Sequence, residues 1–465
     1  MARKGKYADI RPIMSPRSVA VIGASDKPDK VGHAIMQNYI DVGFEGEIYP
    51  VNISAGDKIM GFKAYKKVPD IKKEIDLAVI SIPAEFVPAT ILECGRAHVK
   101  GIVVVSSGFA EVGNQALQDK LAAAAKRYGI PVIGPNCLGV MDPRSKNDTL
   151  FLPTYKIDRP KMGGVSFVSQ SGSIGSSILD LISEQGFGLA RFISYGNAAV
   201  VDEVDLLNYL AHDSDTRVVV FYIEGVKRGK EFVELARTAT KLKPVVILKG
   251  GVSPSGAKAA HSHTASLAGS AEAYKAAFKQ FGFIEADTLD DLLNYAKIFD
   301  TQPLTTGNRI GVITNGGGHG VLATDALYMN GLEMAELGKN ASKSLKKSMP
   351  SIVNIRLPLD IGGDANDKRF NDAFEALGND PNIDAIMAIT LFQTPGADER
   401  VAASIVNYGT EGVKPLVAVS TGSAYTQSHV KLIEESGVPV YDSPDIAARA
   451  LAALINYARY KKGII

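Results

Sequence analysis

The sequence predicts an α/β protein of three consecutive doubly wound modules, and three observations carry that expectation. Short, continuous apolar runs rich in β-branched residues recur along the chain, such as SVAVIGAS and RVVVFYIEG. Each run ends on Gly, Ser, Asn or Pro and is followed by a helical pattern. Two stretches interrupt the rhythm: LFLPTYKIDRPKMGG near 150–164 and FDTQPLTTGNR near 300–309. Continuous apolar strands alternating with helices imply parallel sheets covered on both faces. The modules are expected at 1–150, 151–302 and 303–465. A chain of 465 residues is long for a single core, in keeping with several domains.

In the first module the strands are SVAVIGAS, EIYPVN, LAVISIP, GIVVVSSGF and IPVIGPNC. In the second they are GVSFVSQSG, ARFISYGN, RVVVFYIEG and PVVILKGG, and in the third RIGVITNGGGHG, AIMAITLF, PLVAVSTG and VPVYDSP. Open parallel sheets bind ligands beyond the carboxyl ends of their strands, where these Gly, Ser and Pro clusters fall.

Composition narrows the functional classes. Hydrophobic residues make up 46% and charged residues 22%, with a formal net charge of +1, so no strong field favours nucleic acid or an anionic membrane. Cys94 and Cys137 form neither a disulfide framework nor a CxxC pair, which fits a reducing cytoplasm. The N-terminal stretch MARKGKYADIRPIMSP lacks the apolar segment of a signal peptide, and no apolar run is long enough to span a bilayer. A cytoplasmic protein is expected.

VAVIGASDKPDKVGHAI has the strand–glycine–helix form of a nucleotide-binding turn, which makes the first module Rossmann-like. Only Gly23 and Gly32 are glycine, so the stretch departs from G-x-G-x-x-G. The second strand ends in Asn52, where an NAD site usually places a carboxylate for the ribose hydroxyls. The missing carboxylate suits a ligand with a phosphorylated ribose, coenzyme A or NADP. Lys27 and Lys30 either neutralise phosphates or are solvated loop lysines.

VSQSGSIGSSILDLI and ITNGGGHGVLATDAL each lead from a strand through a small-residue turn into a helix. Free backbone N–H groups and the helix dipole make such starts receptive to phosphate, although each also serves as a tight connection. Between them lies SHTASLAGS, Ser262–Ser270, with one histidine inside it and another, His261, just before. Ser or Thr ahead of an alanine-rich segment is also an ordinary helix cap. A histidine that carries a phosphoryl group needs a neutral, aimed nitrogen, a carboxylate on its other ring nitrogen, and fixed dipoles for the phosphate. Glu224, at the carboxyl end of an apolar strand, is the candidate carboxylate. His263 is the candidate nucleophile.

SHTASLAG, GASDKPDKVG, GPNCLG, SQSGSIG, IEG, TNGGGHGVLATDA and PLDIGGDA together resemble the alpha subunit of an NDP-forming (ADP-forming) acyl-CoA synthetase, in the superfamily of succinyl-CoA synthetase. The resemblance extends over essentially the whole chain. It implies a CoA-binding first domain, with two ligase-CoA domains of flavodoxin-like form after it, the first of them carrying the histidine loop. It implies that His263 is phosphorylated and that Glu224 stabilises it. Ser171, Gly172 and the run Gly316, Gly317 and Gly318 would hold the phosphate. Gly23, Ala24 and Ser25 would approach the CoA diphosphate, with Asn52 at the end of the second strand. The segments around Pro83 and from Ser106 would line the rest of the CoA and thioester site.

The implied reaction converts acyl-CoA, ADP and phosphate reversibly into acid, ATP and CoA. No stretch resembles an ATP-grasp domain, so a separate ATP-grasp beta subunit is expected, in an α2β2 assembly, with Mg2+ accompanying the nucleotide on that partner chain. No metal site is expected on this chain. Two departures stand out: Ala265 replaces the family's usual glycine, and His261 is absent from many relatives. A β-methyl at Ala265 restricts the loop if that position needs positive φ. The roles of His261 and of His319 in GGGHG stay open. Two other functions compete: a non-catalytic CoA-binding regulatory protein, and a nicotinamide-dependent oxidoreductase.

Overall fold

The computed structural model describes residues 6–185, 187–256, 258 and 271–464. His261, His263 and Ala265, with the rest of Ser262–Ser270, lie outside the described residues. The chain divides into two compact units. One comprises residues up to Glu184 and from Gly188 to Asp287; the other comprises Gln185–Phe187 and the chain from Thr288 onward.

The first unit contains two sheets. Strands β1 (Ser18–Ile22), β2 (Glu47–Val51), β3 (Leu77–Ile80), β4 (Gly101–Val104) and β5 (Val132–Ile133) form a parallel sheet in the order β2-β1-β3-β4-β5. The residues of β1, β3 and β4 are buried throughout, as a sheet covered on both faces requires. The chain then crosses to the second sheet, made of β6 (Gly139–Asp142), β7 (Asn147–Asp148), β8 (Met162–Ser169), β9 (Leu189–Ser194), β10 (Val218–Ile223), β11 (Val245–Lys249) and β12 (Ile284–Ala286). Its order is β12-β11-β10-β8-β9-β6-β7, parallel apart from β6 and β7 at one edge.

Residues 139–148 therefore pair with the second sheet, upstream of the sequence break at 150–164. The two sheets of this unit also share apolar packing: Val19, Val21 and Ile133 belong to the same buried cluster as Val168, Ile193 and Phe221. Buried polar groups tie the seam. Asn38 Nδ2 donates to Leu150 O at 2.6 Å, and the Tyr39 hydroxyl donates to Asn147 Oδ1 at 2.7 Å. Asn147 Nδ2 in turn donates to Ile13 O at 2.8 Å. Each such group would be costly to bury unpaired.

The second unit holds a parallel sheet of β13 (Arg309–Thr314), β14 (Glu333–Met334), β15 (Leu359–Asp360), β16 (Ala385–Ile389), β17 (Leu416–Val419) and β18 (Val440–Tyr441). Its path is β14-β13-β16-β17-β18, with β15 also on β13. The helix Leu289–Thr301, ahead of the sequence break at 300–309, belongs to this unit. Its buried Lys297 pairs with Glu434 at 2.6 Å and donates to Val440 O at 2.8 Å. No helix among the described residues is long and apolar enough to cross a membrane.

Candidate functional site

The turn from β1 into helix α1 (Val31–Asp41) is shaped by two glycines. Gly23 has φ +95°, and a Cβ there would lie 2.5 Å from Ser81 O; a Cβ on Gly32 would lie 2.0 Å from Gly23 O. No side chain fits at either point, so helix and turn meet backbone to backbone. Beside this turn opens a cavity of about 1040 Å³, large enough for an extended cofactor. Gly23, Ala24, Ser25, Asn52 and Pro83 all line it, as the sequence placed them.

Asn52 holds the loop in shape. Its Nδ2 donates to Ala24 O at 2.8 Å, and its Oδ1 accepts from Ser54 N at 2.9 Å. Ser106 does not join the lining; its hydroxyl donates to Ile82 O at 2.6 Å and so braces the segment that carries Pro83. Lys27 and Lys30 line the cavity, and so do Lys66 and Lys67, which the sequence reading missed. Their stretch, KAYKKVPD, reads as a solvated loop. Two backbone bonds, Tyr65 N to Pro50 O and Asn52 N to Tyr65 O, both at 2.9 Å, bring it alongside β2. Four lysines around one cavity suit a polyanionic ligand.

The second turn runs from β8 into helix α2 (Gly172–Gln185). Ser169 Oγ donates to Ser171 O at 2.6 Å, and Ser171 Oγ lies 3.1 Å from Ser173 Oγ. A Cβ on Gly172 would have Leu138 Cβ as its nearest neighbour, at 4.0 Å, so the approach to the helix start is open. Gln170 ties this turn to the end of β10: its N–H donates to Tyr222 O at 3.1 Å, while its Oε1 accepts from Glu224 N at 2.6 Å and Gly225 N at 3.1 Å. Glu224 is thereby held, 7% exposed, beside the anion-receptive turn. The Tyr222 hydroxyl donates to Glu224 Oε1 at 3.4 Å, and burial together with Glu224 pushes that phenol up to about 12. Ser171, Gly172 and Glu224 lie together here, while His263 lies outside the described residues.

The third turn, in the other unit, leads from β13 into helix α3 (Gly317–Met329), with Gly316 before it and no side-chain cap. Gly316 N donates to Thr314 Oγ1 at 3.0 Å. Asn315 is buried and fully engaged: Nδ2 donates to Leu391 O at 3.2 Å and to Thr394 Oγ1 at 3.1 Å, while Oδ1 accepts from Leu391 N at 2.8 Å. Gly318 faces open space, and His319 is half-buried. Backbone N–H groups at this helix start remain for an anion. Among the described residues, no group of three or more His, Cys, Asp or Glu is placed to hold a metal ion.

Comparison with known proteins bears on what these turns serve. A CoA binding domain model matches residues 17–143, a succinyl-CoA ligase like flavodoxin domain 162–299, and a ligase-CoA domain 310–464. The chain is 38% identical to the alpha subunit of acetate–CoA ligase [ADP-forming] II of Pyrococcus furiosus, over 96% of this chain and 97% of that one. It is 37% identical to 4-hydroxybutyrate–CoA ligase [ADP-forming] of Nitrosopumilus maritimus, over 97% of this chain but only 64% of that longer protein. Among solved structures, the dinucleotide forming acetyl-coenzyme A synthetase 1 of Ca. Korarchaeum cryptofilum, in complex with phosphate and ADP, superposes with a TM-score of 0.92. That match has 35% identity and covers 98% of both chains.

Proposed function

The chain belongs to the family of ADP-forming acid–CoA ligase alpha subunits, and from that premise we propose that it works through an acyl phosphate and a phosphohistidine at His263. A phosphate oxygen attacks the thioester carbonyl, the C–S bond breaks, and CoA leaves as the thiol with the proton from phosphate. A ring nitrogen of His263 then attacks phosphorus; the P–O bond to the acyl oxygen breaks, and the carboxylate departs with the electron pair. The other ring nitrogen keeps its proton, and Glu224 accepts a hydrogen bond from it, stabilising the cationic phosphoimidazole. In the last step a terminal oxygen of ADP takes the phosphoryl group, the N–P bond breaks, and ATP forms.

The observation that carries this reading is the coupling of Glu224 to the Ser171–Gly172 helix start through Gln170. One side chain sets a carboxylate and a phosphate-receptive turn at a fixed spacing, and fixed dipoles aimed at developing charge are the main source of such catalysis. In the β1–α1 cavity, the glycine contacts leave a backbone cradle for the CoA diphosphate and the lysines face its remaining phosphate. Asn52, its amide committed to Ala24 O, makes a poor ribose ligand for NAD, which favours CoA over the oxidoreductase alternative.

The nucleotide half of the reaction belongs to a beta partner of ATP-grasp type, in an α2β2 assembly, with the His263 loop travelling between the two sites. Mg2+ would come with ADP or ATP on ligands of that partner. Within the other unit, the helix start at Gly316, Gly317 and Gly318 offers a second phosphate cradle. The free, buried thiols of Cys94 and Cys137 favour a cytoplasmic setting.

The test uses the full chain, a panel of acyl-CoAs and radiolabelled phosphate. Acid-labile, alkali-stable label on the His263 peptide, with CoA released and label absent from His263→Ala, is the expected result. Full turnover in His263→Ala would sink the assignment.

A further inference from the structure

Lys249 ends β11, in register with Ile223 and so one residue short of Glu224 on the neighbouring strand. It is only 5% exposed. Its ammonium lies 5.0 Å from the centre of the Tyr274 ring and donates to Gly250 O. Tyr274 is fixed in turn, because its hydroxyl accepts from Val226 N at 3.1 Å, two residues beyond Glu224. Lys249 makes no ion pair among the described residues, although Glu224 is near enough for its charge to act on the ammonium. The strand end thus carries a buried cation with three N–H groups and one described carbonyl acceptor. Burial alone works against the charged form and pulls the Lys249 pKa down. A methionine would fill the same space without that penalty, so packing does not account for the charge.

Resting on the phosphohistidine reading, we propose that Lys249 contacts the phosphoryl group received at the Ser171–Gly172 turn. A doubly charged phosphate arriving beside Glu224 meets a like charge, and Lys249 offsets that repulsion where the carboxylate must stand. The same ammonium stabilises charge on the phosphoryl oxygens as the P–O bond to the acyl group breaks. The family pattern SHT-x-x-LAG does not include this residue.

Lys249→Met and Lys249→Arg, made in the full chain, are assayed with radiolabelled inorganic phosphate and whichever acyl-CoA labels the wild type most. In Lys249→Met the labelling rate is expected to fall about 100-fold, with KM for phosphate raised about tenfold. CoA affinity by calorimetry and the melting temperature should match wild type. Lys249→Arg, which keeps the charge, should recover much of the rate. Wild-type rate and phosphate KM in Lys249→Met would overturn the inference. Equal losses in both variants, with phosphate KM unchanged, would mark a packing role and overturn it too. Should Lys249→Met prove unstable, Lys249→Gln carries the same comparison. If no acyl-CoA labels the wild type, the phosphohistidine reading itself fails, an outcome distinct from a labelled wild type with an equally labelled Lys249→Met.

Discussion

The helix starts of α2 and α3 look alike in the sequence, each a strand, a polar residue, a glycine-containing turn and a helix. Their surroundings differ. Behind the α2 turn stand two buried charges: Glu224, joined to it through Gln170, and Lys249, at the end of the strand next to that of Glu224. Behind the α3 turn the side chains are neutral: Asn315 and Thr314 are spent on backbone and hydroxyl partners, and the nearest carboxylate, Asp360, is exposed. The α3 turn can hold an anion with backbone dipoles alone, whereas the α2 turn can also orient a base and balance charge. A shared motif marks where phosphate can rest, and the residues delivered from neighbouring strands decide where phosphate can react.

The sharpest way to break this comparison is Glu224→Gln. The amide keeps the shape but not the charge, so phosphate labelling should fall about 10²–10³-fold while CoA affinity is unchanged. An equal loss from neutral changes around α3, such as Asn315→Ala, would erase the distinction between the turns.

Charge burial in the first unit should also show in its pH dependence. Burial, with Asp202 nearby, raises the Glu203 carboxyl from the ordinary 4.5 to about 7. Between about pH 4.5 and 7 the unfolded chain releases this proton while the folded chain retains it, so stability falls as pH rises, by up to about 3 kcal/mol. Urea melts from pH 4.5 to 8 should show that slope, and Glu203→Gln should flatten it. A slope unchanged in Glu203→Gln would place the titration elsewhere.

Gly23→Ala tests the backbone cradle proposed for CoA beside β1. The added methyl meets Ser81 O and the residue must keep φ +95°, so Kd for CoA should rise at least about tenfold, about 1.4 kcal/mol. The smallest effects are expected at the helix starts themselves. Gly172→Ala has free space and gains helix propensity, so it should stabilise by up to about 1 kcal/mol. In Gly317→Ala the methyl would sit 2.8 Å from Asp360 Oδ2, and the exposed side chain must move, cancelling part of that gain. A pair of thermal melts separates the two.

Much of this was legible in the residues. The apolar runs located the main strands, because a strand buried on both faces has little choice but to be apolar along its length. Gly23 announced its turn because close backbone approach excludes a side chain there, whereas Ser171–Gly172 and Gly316–Gly318 announced theirs as runs of small residues between a strand and a helix. The pairing of residues 139–148 with the second sheet was not legible, since GVMD and ND are too short and mixed to declare a partner. Lys66, Lys67 and Lys249 carried no local signal either, as a lysine at the end of a strand or in a loop reads the same whether it faces solvent or a ligand.

What the sequence determined by itself was the order of strands and helices, the turns able to meet an anion, and the motifs that place the chain in its family. Tertiary structure alone decided which turns acquire charge. Gln170 and Glu224, 54 residues apart, meet because β8 and β10 are neighbours, and Lys249 comes within range of the Glu224 charge because β11 is the next strand over. Periodicity is a local property of the chain, whereas the electrostatics of a site is summed over whatever the sheet brings within reach.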